Sequence, residues 1–129
     1  MTSDKSNAQK LLVKPGNALM VVNPPRNIDD LIGPLPSGVA VRRFGGGASH
    51  VILYFCGSRT DLEGQLPGLK AFLEPGGIIW VAYHKSTSKT KTDMSRDSIN
   101  VYSQTLGMTG VAMISLDDDW SAMRLKVVD

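Results

Sequence analysis

Residues 50–83, HVILYFCGSRTDLEGQLPGLKAFLEPGGIIWVAY, decide the fold of this chain. The apolar run Val51–Cys56 predicts a buried strand, because a short continuous run is typical of a strand covered on both faces. A helix follows, which Ser58 or Thr60 can cap and which ends at a Pro-Gly-Gly turn. A second apolar run, Ile78–Tyr83, predicts another buried strand. Strands joined through a helix run parallel, so this stretch specifies one unit of an α/β sheet.

The helix between these two strands is predicted to be amphipathic. Leu62, Leu66, Leu69 and Leu73 recur at helical spacing, so we expect them to pack against the sheet. Pro67 removes one backbone hydrogen bond inside the helix, which predicts a bend at that position.

The remaining sequence supplies further strands and helices on both sides of this unit. In chain order, the predicted elements are a helix at 8–13, strand A at 18–22, a helix at 27–32 capped by Asn27, strand B at 39–44, strand C at 51–56, the central helix, strand D at 78–83, a helix from Thr92 or Ser95 to Leu106, strand E at 111–116 and strand F at 122–128. Right-handed crossovers then predict a three-layer, Rossmann-like α/β fold with a mainly parallel sheet of about six strands. The last two strands have a short connection and therefore form an antiparallel hairpin. The expected order of the strands in the sheet is B-A-C-D-F-E.

One feature of strand F opposes this order. Met123, Leu125 and Val127 alternate with Arg124 and Lys126. Such alternation is typical of a strand with one exposed face. The predicted order nevertheless requires strand F to lie inside the sheet.

Length and composition fit a single domain over residues 1–129, with residues 1–7 as a flexible tail. The chain has 129 residues, of which 42% are hydrophobic, enough for one core. Its formal charge of +2 does not indicate nucleic-acid binding. The single cysteine, Cys56, excludes an internal disulfide and a cysteine-based zinc cage. Since no signal peptide or membrane-spanning run is found, we expect a cytoplasmic protein without membrane contact.

Several short motifs between Leu12 and Val127 are shared with one known family. They are Lys14-Pro15-Gly16, Leu31-Ile32-Gly33-Pro34-Leu35-Pro36, Leu66-Pro67, Pro75-Gly76-Gly77, Lys91-Thr92-Asp93, Arg96-Asp97 and Trp120-Ser121. On these motifs the chain resembles the DUF3052 family, small bacterial proteins of unknown function. The family in turn resembles class I methyltransferases that have lost the cofactor motif. The resemblance implies a truncated methyltransferase-like fold and no established chemistry.

The residues after strands A and B depart from the pattern of a working methyltransferase. Such enzymes approach the cofactor with a glycine-rich turn after strand A, and an acidic residue ending strand B binds the ribose hydroxyls. This chain has Asn23-Pro24-Pro25-Arg26-Asn27 at the first position and Arg42-Arg43 at the second. Prolines cannot donate backbone hydrogen bonds. We therefore expect no cofactor, and S-adenosylmethionine to bind no tighter than millimolar.

The predicted ligand crevice lies beyond the carboxyl ends of strands A and C, where neighbouring connections diverge. Cys56, His84 and Asn23 are the residue types of a thiol nucleophile, its base and an orienting group. No catalytic motif accompanies them, and a cysteine that ends a buried strand is usually a core residue. We therefore predict no catalytic residue. The residues expected to border a ligand there are Asn23, Arg26, Cys56, Ser58, His84 and Lys85.

The loop after strand D concentrates positive charge. Lys85, Lys89 and Lys91 precede Arg96, so the loop and the following helix start can bind a phosphate or carboxylate. The alternative is a solvated loop whose cations pair with nearby aspartates. The loop is the best predicted anion site.

Three consecutive aspartates, Asp117–Asp119, have the oxygen ligands that Mg²⁺ and Ca²⁺ prefer. They lack the ligand spacing of a calcium loop and suit a solvated hairpin turn equally well. We therefore predict no metal site.

Three functions remain open on the sequence. The first is a noncatalytic, methyltransferase-like binding or regulatory domain for a small anionic ligand or a protein partner. The second is a divergent S-adenosylmethionine-dependent methyltransferase, or another transferase, that uses the same crevice. The third is an interaction module that pairs through a sheet edge, as a homodimer or with a partner, for which Val39–Phe44 is the predicted strand.

Overall fold

The structure, a computed structural model, describes residues 6–43 and 47–128. Within these ranges one sheet contains β1 Ala18–Val22, β2 Ala40–Arg42, β3 Ser49–Phe55, β4 Leu73–His84, β5 Met108–Ser115 and β6 Trp120–Val127. The helices of the same ranges are α1 Asn7–Lys10, α2 Ile28–Ile32, α3 Arg59–Lys70 and α4 Arg96–Gln104.

The strands lie in the order β2-β1-β3-β4-β6-β5, which is the predicted order. The first four strands of the chain pair in parallel. β6 lies between β4 and β5 and runs antiparallel to both. The predicted α/β fold with a C-terminal antiparallel hairpin is therefore confirmed.

Two cores cover the two faces of the sheet. On one face, Leu62, Leu66 and Leu69 of α3 pack with Ile52 and Ile79 of the sheet. On the other face, Leu11 and Leu31 of the α1 and α2 segments pack with Leu53, Trp80 and Ala122 of the sheet. Burial on both faces explains why the central strands have continuous apolar sequences.

α3 begins as predicted at Ser58, whose hydroxyl accepts a hydrogen bond from the backbone N–H of Asp61 at 3.1 Å. Thr60 lies inside the helix. Leu73, which we predicted to lie on the same helical face, is instead the first residue of β4 and is half-buried. The bend predicted at Pro67 stays a prediction.

The Pro-Gly-Gly segment belongs to β4 and does not precede it. Ser49 pairs with Leu73, and Val51 pairs with Ile78, so β4 has three more residues than β3 between these two pairs. The extra residues form a bulge. The sequence places the start of the strand at Ile78 because proline and glycine usually interrupt strands.

Other boundaries also differ from the predictions. Asn27 is the N-cap residue of α2 but makes no side-chain capping hydrogen bond. The predicted tail ends earlier, since Ser6 caps α1 and Asn7 starts it. Residues 1–5 and 44–46 lie outside the described residues, and with them Phe44 of the predicted strand B. No helix in the described ranges has the length and apolar character needed to cross a membrane.

Candidate functional site

A cleft of about 640 Å³ opens at the carboxyl ends of β1 and β2. We term it the β1–β2 cleft. Ligands of α/β sheets bind at such carboxyl ends, and concave sites with mainly apolar walls and a few polar groups are typical of small-molecule binding. Its apolar walls include Val21, Ile28, Ile32, Leu35 and Val41, and its polar groups include Asn23, Asp29, Arg42 and Arg43.

Asn23 sets the turn by which the chain leaves β1. Its φ is 56°, in the left-handed region that asparagine tolerates better than most residues other than glycine. The chain can therefore turn without a glycine before Pro24 and Pro25. Because neither proline has an N–H, this turn offers fewer backbone donors to a ligand than a glycine-rich turn would.

Two arginines border the cleft at the end of β2. Arg42 is half-buried, and its Nη1 donates a hydrogen bond to the backbone oxygen of Ala48 at 2.7 Å. Arg43 is exposed. Asp29 of α2 lines the same cleft. The site thus combines apolar surface with guanidinium groups, which suit carboxylates and phosphates.

The position of this cleft differs from the predicted one. The sequence predicts the ligand between strands A and C, whereas most of the lining residues belong to β1, β2 and the α2 segment. Of the predicted ligand-binding residues, only Asn23 lines the cleft. The sequence signal that marks the cleft is the Arg42-Arg43 pair at the position of the missing acid.

Asn23 also belongs to a polar network between β1, β3 and α3. Its Nδ2 donates to Oε1 of Gln65 at 3.1 Å, and the hydroxyl of Tyr54 contacts the same oxygen. The Tyr54 hydroxyl also lies 3.1 Å from the backbone oxygen of Asp61. Burial raises the pKa of Tyr54, so the hydroxyl stays protonated. No sequence pattern predicts this network, because Tyr54 lies within an apolar run.

Cys56 is fully buried at the end of β3. Its Sγ donates to the backbone oxygen of Ser58 at 3.2 Å and lies 3.4 Å from Sδ of Met94. Burial raises the pKa of the Cys56 thiol, which favours the neutral and unreactive form.

His84 lies at the end of β4, where its ring stacks on Trp120 with 3.9 Å between ring centroids. Its Nδ1 is 3.5 Å from the hydroxyl of Ser88, which donates to Asp119. Asn23, Cys56 and His84 thus contact different partners, and no hydrogen bond joins them in the described ranges.

The two other predicted residues near this edge have separate positions. Ser58 serves as the cap of α3. Arg26 is exposed in the connection between β1 and α2 and is absent from the lining of the β1–β2 cleft. Their roles as ligand-binding residues stay predictions.

The cations of the loop after β4 and of the start of α4, which we term the basic loop, have different neighbours. Nζ of Lys85 donates to Oγ of Ser115 on β5, whereas Nζ of Lys91 donates to the backbone oxygen of Ser86 at 3.4 Å. Arg96 lies 3.9 Å from the carboxylate of Asp97, and both side chains are largely exposed.

Lys89 is exposed. Lys85, Lys91 and Arg96 each have a separate partner. Anion binding by this loop and the start of α4 stays a prediction.

The aspartates at 117–119 organise the β5–β6 turn. Oδ1 of Asp117 accepts hydrogen bonds from the backbone N–H groups of Asp119 and Trp120, both at 2.8 Å. The described ranges contain no group of three or more histidine, cysteine or acidic residues placed to hold a metal.

The chain matches no protein-family model and no curated protein. The predicted membership of the DUF3052 family is therefore not confirmed.

Solved structures, in contrast, share this fold. The chain is similar to a ribosomal protein L11 methylase from Lactobacillus delbrueckii subsp. bulgaricus, with 10% identity, a TM-score of 0.63 and coverage of 95% of this chain and 75% of that one. It is also similar to DhpI in its complex with SAH, with 9% identity, a TM-score of 0.65 and coverage of 95% and 83%. The CcbJ methyltransferase from Streptomyces caelestis gives 7% identity, a TM-score of 0.58 and coverage of 95% and 90%. At such identities the likeness establishes a methyltransferase-like fold.

Proposed function

We propose that this chain is a small-molecule-binding domain on a methyltransferase-like fold, with the β1–β2 cleft as its ligand site. The observation that carries the proposal is the position of this apolar cleft at the carboxyl ends of β1 and β2, with Arg42 and Arg43 at its border. This is the sheet edge at which α/β folds bind their ligands.

The composition of the cleft favours a nucleotide-like anion. Ile28 and Val41 offer apolar surface to a base or another flat group. Arg42 and Arg43 offer guanidinium donors to a phosphate. In dinucleotide-binding folds an acid at the end of the second strand selects a ribose hydroxyl, whereas a nearby arginine accommodates a phosphate. This favours a phosphorylated ligand over S-adenosylmethionine.

The proposed domain is noncatalytic. The lining of the β1–β2 cleft contains no cysteine, histidine or serine in the described ranges. Nucleophilic catalysis requires a nucleophile in hydrogen-bond reach of its base. Cys56 and His84, the candidates of the predicted crevice, lie in separate environments.

A divergent S-adenosylmethionine-dependent methyltransferase is the second candidate. It is favoured by the solved structures, which include methyltransferases and a complex with SAH. Asp29 also lines the cleft, so a carboxylate from α2 is available for ribose hydroxyls although β2 ends in arginines. A methyltransferase would therefore depend on Asp29, and a phosphate-binding domain on Arg43.

Isothermal titration calorimetry of the full chain separates these candidates. ATP, AMP and S-adenosylmethionine are titrated into the parent, Arg43→Gln and Asp29→Asn, with Lys89→Gln in the basic loop as a matched charge control. Saturable nucleotide binding that Arg43→Gln weakens at least tenfold, and Lys89→Gln leaves unchanged, supports the noncatalytic domain. Micromolar binding of S-adenosylmethionine that depends on Asp29 supports the methyltransferase instead. Absence of binding by all three compounds refutes both.

A further inference from the structure

A second cleft, of about 770 Å³, lies at the opposite edge of the sheet. β1, β3 and β4 run parallel, so the amino end of β4 lies away from the carboxyl ends that border the β1–β2 cleft. β6 runs antiparallel to β4, which brings its carboxyl end to the same edge. We term this the amino-edge cleft. Its lining comprises Leu12, Lys14, Lys70, the β4 residues 73–78 and the β6 residues 124–127.

The amino-edge cleft is positively charged. Lys14, Lys70, Arg124 and Lys126 line it with Glu74 as the opposing carboxylate, a local charge of +3 where the whole chain carries +2. None of these groups forms an ion pair with another described residue. Nζ of Lys70 donates to the backbone oxygen of Leu106 at 2.7 Å, so the charges available to a ligand are those of Lys14, Arg124 and Lys126.

Arg124 shows an unmet hydrogen-bonding capacity at this cleft. Its Nε is shielded from solvent and has no hydrogen-bond partner in the described ranges. A buried charged donor without an acceptor is unfavourable, and buried polar groups are generally paired. A guanidinium group also matches the planar geometry of carboxylate and phosphate oxygens. Arg124 as a whole is half-buried and lines the cleft, so an anion is the ligand class that its guanidinium group favours there.

The walls of the cleft add apolar surface and a fixed backbone shape. Leu12, Ile78 and Val127 line it and are half-buried. The bulge of β4 supplies the remaining wall, and a Cβ at Gly77 would lie 2.8 Å from the backbone oxygen of Glu74. Gly77 therefore allows the close backbone packing that shapes this wall.

We propose that the amino-edge cleft binds a small amphipathic anion, with a carboxylate or phosphate head and a short apolar body. The head lies against Arg124, Lys126 and Lys14, and the apolar body lies against Leu12 and Ile78. This site is independent of the β1–β2 cleft, because the two are at opposite edges of the sheet and share no lining residue.

Two-dimensional ¹H–¹⁵N NMR titration of the full chain tests the proposal. The probes are octanoate, octyl phosphate, octanol and inorganic phosphate. We expect octanoate or octyl phosphate to shift the amide resonances of Gly76 and Gly77 saturably. Octanol, which lacks the charge, and inorganic phosphate, which lacks the apolar body, should bind at least tenfold more weakly. The stronger of the two octyl compounds identifies the preferred head group.

A charge-matched pair of double variants completes the test. Lys14→Gln with Lys126→Gln removes two exposed charges of the cleft, and Lys85→Gln with Lys89→Gln removes two charges at the other edge of the sheet. The first double variant should bind the octyl anion at least tenfold more weakly than the parent, and the second should bind it equally well. Because both substituted lysines of the cleft are exposed, the fold should persist, which the remaining resonances verify.

Several results would overturn the amino-edge site. Among them are saturable shifts with neither octyl anion, equal binding of octanol, and equal affinity of the two double variants. Shifts confined to the residues of the β1–β2 cleft would also overturn it, while leaving the proposed function unaffected. Conversely, failure of nucleotides to bind would refute the proposed function without affecting this site.

Discussion

Replacing Leu69 by alanine tests the packing of α3 on the sheet. The Leu69 side chain is completely buried in the core that contains Ile52 and Ile79. The substitution removes three buried carbons, which at about 0.8 kcal/mol each gives roughly 2.4 kcal/mol. The cavity left behind adds to this loss, so we expect a total above this figure, in the upper part of the range of about 2 to 5 kcal/mol that such substitutions cost. Since small domains have about 5 to 15 kcal/mol of stability, the variant should unfold at markedly lower urea concentration.

Gly68→Ala is the matched control on the same helix. Gly68 is exposed, and a Cβ built on it meets no atom within 4 Å. Alanine should therefore stabilise the helix by about 0.5 to 1 kcal/mol. Equilibrium urea unfolding followed by circular dichroism measures both variants. An unchanged midpoint for Leu69→Ala, or equal losses in the two variants, would refute the packing described for α3.

Three further outcomes follow from the structure. Burial raises the pKa of Tyr54, so the contribution of this side chain to stability is complete below the unfolded pKa of about 10 and declines as the pH rises above it. Tyr54→Phe should flatten this decline in urea midpoints measured on both sides of about pH 10, and parallel curves for the parent and the variant would contradict the raised pKa. Cys56 is buried and its pKa is raised, so a thiol reagent at mildly alkaline pH should react rapidly only after denaturation. Rapid labelling of the folded chain would contradict the burial of this thiol. In Gly77→Ala the new Cβ would lie 2.8 to 2.9 Å from the backbone oxygens of Glu74 and His50, so we expect the free energy of unfolding to fall by about 1 to 3 kcal/mol. A variant with the thermal stability of the parent would show that this bulge can adjust.

The sheet could be predicted because its strands carry local signals. The apolar run Ala18–Val22 is bounded by turn residues on both sides, and its predicted limits match β1. Handedness and short connections then restrict the order of the strands. The alternating pattern of β6 is also explained, since Arg124 and Lys126 bring charge to the amino-edge cleft while Met123 and Leu125 are buried in the core that contains Leu69.

The candidate sites could be predicted only in part, because they depend on contacts between distant residues. The sequence identifies Arg42 and Arg43 as basic, but that they line one cleft with Asp29 follows from the path of the α2 segment. Asn23 and Gln65, which form a hydrogen bond, are 42 positions apart in the sequence, and no local pattern predicts that they meet. The partner of Lys85 is also not predictable from the sequence. Its Nζ donates to Oγ of Ser115 on β5, and no local pattern places these two residues together.

The position of β6 has a consequence for synthesis on the ribosome. Residues 120–127 form a strand between β4 and β5, although both neighbours precede them in the chain. Until these residues leave the exit tunnel, β4 has an unpaired edge and β5 has no partner. Open strand edges favour association with other chains. A nascent chain that stalls before residue 120 should therefore depend on chaperones far more than a chain that includes β6.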